Sequence, residues 1–109
     1  MQKSEYREKI RAHFKKAYNL PDKKMDEVLP RFLKLLADHL EKFEQISTKQ
    51  DLLALCRAGH SLKGALLNMG LEELAEETYQ LEKLCKSNNK SPDIVRLSKE
   101  LMEKIKVIL

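Results

Sequence analysis

The chain has 109 residues, of which 42% are hydrophobic and 35% are charged, and its formal net charge is +4. This length fits one domain with a single core and excludes a second. The apolar runs are too short to span a bilayer, and no apolar signal region follows the first residues, so we expect a cytoplasmic protein. Basic and acidic residues are interleaved throughout, which favours a solvated surface over a nucleic-acid site.

The cysteines and two of the three histidines carry no sign of a metal site. Cys56 and Cys85 are too few for a disulfide framework or a zinc centre, and their positions fit core packing as reduced thiols. Packing or solvent exposure explains His13 and His39. No two histidines have metal-ligand spacing on one helix. We therefore expect neither a metal nor a cofactor.

Two helices are predicted in the first half of the chain. Apolar residues recur every three or four positions over Ser4–Tyr18, and the segment 19–22, Asn-Leu-Pro-Asp, ends that helix. The second helix is predicted over Lys24–Ile46, and Pro30 within it means either that the regular helix begins near there or that it is kinked. Its core stripe comprises Leu29, Phe32, Leu33, Leu36, Leu40 and Phe43.

The third predicted helix spans about residues 49–69. Ser47 and Thr48 are followed three positions later by Gln50 and Asp51, a pattern typical of a capping box at a helix start. Gly70 suits the left-handed position after the helix end. The buried stripe comprises Leu52, Leu55, Cys56, Leu62, Leu66 and Met69. The opposite side comprises Leu53, Arg57, His60, Lys63, Gly64 and Leu67.

Two further helices complete the pattern. One runs from Leu71 to Cys85, with acidic residues in its first turn that suit the helix dipole, and it stops within residues 87–90. The last begins at Ser91-Pro92-Asp93, with Ser91 as N-cap and Pro92 as the first helical residue. The sequence thus predicts an all-α fold, an antiparallel up-down four-helix bundle over 24–109 with an additional short N-terminal helix over 1–20.

The most informative stretch is Ala58-Gly59-His60-Ser61-Leu62-Lys63-Gly64. A neutral imidazole is a good nucleophile near physiological pH, because its unperturbed pKa is about 6.5 and one ring nitrogen then has a free lone pair. Residues three and four positions later lie beside His60 on a helix, so Lys63 and Gly64 flank the ring. Lys63 can offset the charge of an arriving phosphoryl group. A glycine inside a helix is less favourable than alanine by roughly 1 kcal/mol, so its presence needs a reason. At position 64 the reason would be that the missing side chain leaves space for a donor aspartate.

The run His60-Ser61-Leu62-Lys63-Gly64, with Gly70 after it, resembles the H-x-L-K-G-x5-G signature of histidine-containing phosphotransfer (HPt) domains over about residues 50–85. The resemblance implies a helical phosphoryl-group carrier without kinase activity of its own. His60 would be phosphorylated by a receiver-domain aspartate and would pass the group to another receiver. The implied partners are the receiver domains of a hybrid sensor kinase and of a response regulator. Because the chain begins with Met1 and has no linker at either end, we expect a free-standing carrier and not a fragment of a hybrid kinase. We also expect a monomer with a single domain over residues 1–109.

The chain departs from the family pattern after Gly64, where members usually carry small residues and this sequence has Leu66 and Leu67. Leu67 either narrows access to His60 or belongs to an apolar docking surface. Leu53 and Leu67 are candidate partner-binding residues, since apolar side chains beside a reactive group often mark a partner site. Arg57 adds positive charge to that rim. On the next helix, Glu82 and Gln80 are both candidates to hydrogen-bond the far imidazole nitrogen.

Two other functions remain open from the sequence. A phosphorylation-deficient, receiver-binding helical adaptor would keep the bundle, with Leu67 as the change that abolishes transfer. A basic helical nucleic-acid binder rests on the net charge of +4 alone. Phosphorylation separates the adaptor from the carrier, and nucleic-acid binding at low salt tests the last alternative.

Overall fold

A computed structural model describes residues 1–49, 51–87 and 92–109 as an all-helical fold. Within these residues there are five helices and no strand. The helices are α1 (Lys3–Tyr18), α2 (Asp22–Ser47), α3 (Leu52–Asn68), α4 (Glu72–Lys86) and α5 (Pro92–Ile108). From α2 to α5 each helix packs on the next, α2 also packs on α5, and α1 packs on α2 and α5. The all-α prediction is confirmed.

The apolar faces of all five helices meet in one core. The predicted stripe of α2 is buried at four positions, while Phe32 and Leu33 are half-buried and pack against it. The first helix contributes Phe14, whose ring centroid lies 4.7 Å from that of Phe32. The largest fully buried side chains are Ile10, Phe14, Met25, Leu36, Phe43, Leu62, Leu66, Met69, Leu81, Leu101, Ile105 and Ile108.

The second helix begins earlier than its hydrophobic pattern indicates. It starts at Asp22, directly after Pro21, where a carboxylate in the first turn suits the positive end of the helix dipole. The helix then continues through Pro30 to Ser47. A helix start near Pro30, one of the two alternatives, is therefore wrong.

The predicted capping box before α3 is also wrong. The hydroxyl groups of Ser47 and Thr48 donate backwards, to the carbonyl oxygens of Glu44 and Gln45 at 2.7 and 2.8 Å. Asp51 caps α3 instead, because its Oδ1 accepts a hydrogen bond from the Ala54 amide at 3.1 Å. Gln50 lies outside the described residues. The helix therefore starts at Leu52 and not near residue 49.

The turn from α3 to α4 requires a glycine. The amides of Gly70 and Leu71 donate to the carbonyl oxygens of Leu67 and Leu66, each at 3.0 Å, which is the Schellman arrangement. Gly70 has φ of 75°, so its predicted left-handed conformation is confirmed. A Cβ atom at this position would collide with the Cβ and Cγ atoms of His13. This turn therefore lies directly against α1.

The last two helices follow the predicted pattern where the structure describes them. The fourth helix ends at Lys86, and Pro92 is the first residue of α5, as predicted. The predicted N-cap Ser91 and the predicted breaker residues 88–90 lie outside the described residues. Within the described part of the chain, no helix combines the length and the apolar character that crossing a bilayer requires.

Candidate functional site

The structure places His60 on the outer side of α3, with its ring held from α4. Its side chain is 70% exposed, whereas Glu82, its partner, is 1% exposed. The Nδ1 atom of His60 lies 2.9 Å from Oε1 of Glu82. The neighbouring Gly59 and Leu62 face the core. The ring is therefore open to a partner molecule and fixed at one nitrogen.

The protonation state of Glu82 decides which imidazole nitrogen is free. Burial raises the pKa of the Glu82 carboxyl, but hydrogen bonds from His60 and Lys63 and the charges of Lys63 and Lys86 outweigh it, so the pKa lies below its ordinary value. An ionised carboxylate only accepts hydrogen bonds. The proton between the two groups therefore belongs to Nδ1 of His60. In the neutral ring, Nε2 then keeps its lone pair.

Lys63 lies beside His60, and its ammonium is paired with the same carboxylate. Its Nζ atom lies 3.2 Å and 3.4 Å from the two carboxylate oxygens of Glu82, and its side chain is 20% exposed. The ammonium also lies 4.8 Å from the ring centroid of Tyr79. A second cation, Lys86, lies 4.0 Å from Oε2 of Glu82. One buried carboxylate thus organises the imidazole and two ammonium groups.

Gly64, about one turn of α3 after His60, borders an open space. A Cβ atom at Gly64 would have no neighbour within 4 Å. The glycine lines a cavity of about 330 Å³ between α2 and α3, together with Leu35, His39 and Ser61. Nothing inside the protein therefore requires a glycine at this position.

The predicted partner-binding residues all lie on the exposed side of α3. Leu53 is 63% exposed and Leu67 is 48% exposed. They stand seven residues before and after His60, which is close to two helical turns in each direction. Arg57 is exposed as well. Leu67 lines a cavity between α3 and α4 together with Lys63 and Tyr79.

The structure separates the two candidates for the imidazole hydrogen bond. Glu82 makes it, whereas Nε2 of Gln80 donates to Oε1 of Glu76 at 2.8 Å. Tyr79 and Lys86 belong to the site without having been predicted. The spacing of Glu82 and Lys86, four residues apart on a helix, was the available signal. Among the described residues, no group of three ligating side chains is arranged to hold a metal ion.

One of three comparisons with known proteins gives a match. A model of the Hpt domain family matches residues 27–107, which include the whole of α3 and α4. Searches of curated proteins and of solved structures each found no match. Hpt domains are phosphocarrier modules that interact with receiver domains. The chain therefore belongs to the Hpt domain family, the phosphotransfer modules of two-component signalling.

Proposed function

We propose that the chain is a histidine phosphotransfer protein that accepts a phosphoryl group on His60 from a receiver aspartate and passes it to a response-regulator receiver. The Nε2 lone pair forms the nitrogen–phosphorus bond while the oxygen–phosphorus bond of the aspartyl phosphate breaks. The aspartate leaves as a carboxylate. The onward step reverses these bond changes. No base has to deprotonate the nucleophile, because Nε2 of the neutral ring carries no proton.

The hydrogen bond between Nδ1 of His60 and buried Glu82, 2.9 Å long, is the observation that carries this proposal. A ring that bears a phosphoryl group on Nε2 and a proton on Nδ1 is positively charged. The Glu82 carboxylate stabilises that charge and keeps the ring in one orientation. The ammonium of Lys63 has three donors, of which Glu82 accepts two, so a third is free for a phosphoryl oxygen.

The surroundings of His60 support docking of a receiver. The space beside Gly64 gives a donor aspartate access to the ring. Exposed Leu53 and Leu67 offer apolar contacts, and Arg57 offers positive charge towards the acidic pocket of a receiver. Leu67 acts here as a docking residue and not as an obstruction. The receivers contribute the metal and the acid chemistry, so this chain needs no cofactor.

The proposal extends to the whole chain as a single domain over residues 1–109. Residues 24–109 form an antiparallel up-down four-helix bundle, with the helix of residues 1–20 packed on it. The pairing of His60 with Glu82, and Leu67 lining one cavity with Ala75, support an antiparallel arrangement of α3 and α4. The carrier acts in the cytoplasm as a monomer, without a nucleic-acid ligand and without kinase activity of its own.

Label transfer from a phosphorylated receiver tests this function. We expect acid-labile, base-stable label on the wild type and on His13→Gln, which removes a histidine of α1, and none on His60→Gln. Label that survives in His60→Gln would show that a residue other than His60 is phosphorylated. A wild type that binds receivers and takes no label from several of them would instead be a phosphorylation-deficient adaptor.

A further inference from the structure

Four cations collect around the first half of α3 and the second half of α4, and two of them have no internal partner. Lys42 of α2 and Arg57 of α3 line an open cavity of about 270 Å³ between these helices. No hydrogen bond or ion pair joins either cation to another described residue. Two further cations follow Glu82 on α4, namely Lys83, which lies over the Tyr79 ring, and Lys86, which is paired with Glu82. We call these four side chains the cationic end of the surface that carries His60.

Negative charge collects at the opposite end of the same surface. Glu72 and Glu76, both exposed in the first half of α4, line a cavity of about 380 Å³. Leu67, Tyr79 and Lys63 line it as well, and the ammonium of Lys63 is paired with Glu82. Glu76 accepts a hydrogen bond from Gln80, and neither carboxylate is paired with a cation of the described chain. We call these two carboxylates the acidic end.

His60 lies between the two ends. Arg57 precedes it by one turn of α3, whereas Leu67, which borders the acidic end, follows it by two turns. On α4, Glu82 faces His60. Lys83 and Lys86 follow Glu82 along this helix, whereas Glu72 and Glu76 precede it. On α4 the two signs of charge therefore lie at opposite ends of the surface, and α3 adds Arg57 at the cationic end and no carboxylate at the acidic end.

We propose that this division of charge fixes the orientation in which a receiver docks over His60, an inference that rests on the proposed function. The receiver places an acidic region against the cationic end and a basic side chain against Glu72 and Glu76. The reverse orientation brings like charges together, which is costly at an interface and slows encounter. The same division selects among receivers, because one with an evenly acidic surface meets repulsion at the acidic end.

Charge reversal at each end tests the orientation. Isolated receiver domains are loaded with acetyl phosphate, and the one that labels the wild type fastest is used with Glu72→Lys/Glu76→Lys and with Lys42→Glu/Arg57→Glu. Each transfer rate is divided by the rate of labelling with phosphoramidate, a small donor that does not dock, so that any defect at His60 itself cancels. We expect both double variants to lower the normalised rate roughly tenfold at low salt, and the defect to shrink as salt rises.

Charge reversal at the acidic end distinguishes oriented docking from attraction by net positive charge alone. If the receiver were attracted only by net positive charge, Glu72→Lys/Glu76→Lys would speed transfer, and that result overturns the inference. A matched control, Glu100→Lys/Glu103→Lys, makes the same change in charge on α5, which does not pack on α3 in the described structure. An equal slowing by the control would also overturn it. A wild type labelled neither by phosphoramidate nor by any receiver would instead refute the proposed function.

Discussion

At the scale of single residues, Glu82 ties the stability of the protein to pH. Its pKa is lowered in the folded protein, because the hydrogen bonds and charges around it outweigh burial, which acts in the opposite direction. The unfolded chain therefore binds a proton at a higher pH than the folded protein does. The stabilisation is fully present above the unfolded pKa, which is about 4.3, and it is lost as the pH falls through the lower, folded pKa.

Glu82→Gln keeps an oxygen that accepts from His60 and removes the charge. We expect this variant to lower the free energy of unfolding by about 1–2 kcal/mol at neutral pH. Urea titrations from pH 7 to pH 3 should show that the difference from the wild type narrows in the acidic range. Glu103→Gln, at an exposed position of α5, controls for the general loss of a carboxylate. If the difference in the free energy of unfolding stayed constant with pH, the charge of Glu82 would contribute nothing to stability.

The sequence alone could not decide whether Gln80 or Glu82 of α4 hydrogen-bonds to the imidazole. Residues 80 and 82 are two positions apart, so they point in nearly opposite directions on a helix and only one can face His60. The choice depends on how α4 is rotated against α3, which the packing of both helices decides. Lys63 shows a similar limit. Its place beside His60 follows from helix spacing, whereas its pairing with Glu82 needs the neighbouring helix.

At the scale of the helix, α3 contains two glycines that the fold does not require. A Cβ atom at Gly59 or at Gly64 would meet nothing within 4 Å. We expect Gly59→Ala and Gly64→Ala each to raise the free energy of unfolding by roughly 0.5–1 kcal/mol, since alanine favours the helix. Denaturation in urea measures this gain.

The two substitutions should differ in phosphotransfer. Gly64 lies on the open side next to His60, whereas Gly59 is buried. Transfer from a receiver should therefore slow in Gly64→Ala and stay at the wild-type rate in Gly59→Ala. Equal rates in both variants would show that access at position 64 does not limit the reaction.

Unlike α3, the turn between α3 and α4 requires its glycine. Gly70 combines a φ of 75° with a position where a Cβ would collide with His13. We expect Gly70→Ala to lower the free energy of unfolding by at least about 2 kcal/mol, from backbone strain and overpacking together. Gly70→Asn separates the two causes, because asparagine tolerates the left-handed conformation but carries the same Cβ. If the asparagine variant matched the wild type in thermal unfolding, the collision would not matter.

Hydrophobic spacing predicted the helices well and their ends less well. The buried stripes of α2 and α3 follow from residues three and four positions apart, whatever the neighbours are. The predicted start of α3 was wrong because a Ser or Thr hydroxyl can cap the next helix or donate to a carbonyl oxygen of the preceding one. Ser47 and Thr48 do the latter. Once α2 extends to Ser47, Asp51 is the side chain that remains to cap α3.

At the scale of the whole molecule, α1 is part of the core although the family match begins after it. The matched region starts at residue 27, whereas α1 ends at Tyr18. The helix is nevertheless tied to the far end of the chain, because the Arg7 guanidinium donates to the carbonyl oxygens of Ile108 and Leu109 at 3.1 to 3.3 Å. Periodicity predicts that residues 4–18 are helical, but not which helices they pack on.

Phe14 tests whether α1 unfolds together with the rest of the protein. Its side chain is fully buried and packs on Phe32 of α2. We expect Phe14→Ala to lower the free energy of unfolding by about 3–5 kcal/mol, as much as Phe43→Ala near the C-terminal end of α2. Urea unfolding followed by circular dichroism should remain a single transition, and Lys15→Ala, at an exposed site on α1, should change little. A peripheral helix would behave differently. Phe14→Ala would then melt α1 alone in a first, separate transition and leave the midpoint of the main transition at its wild-type value.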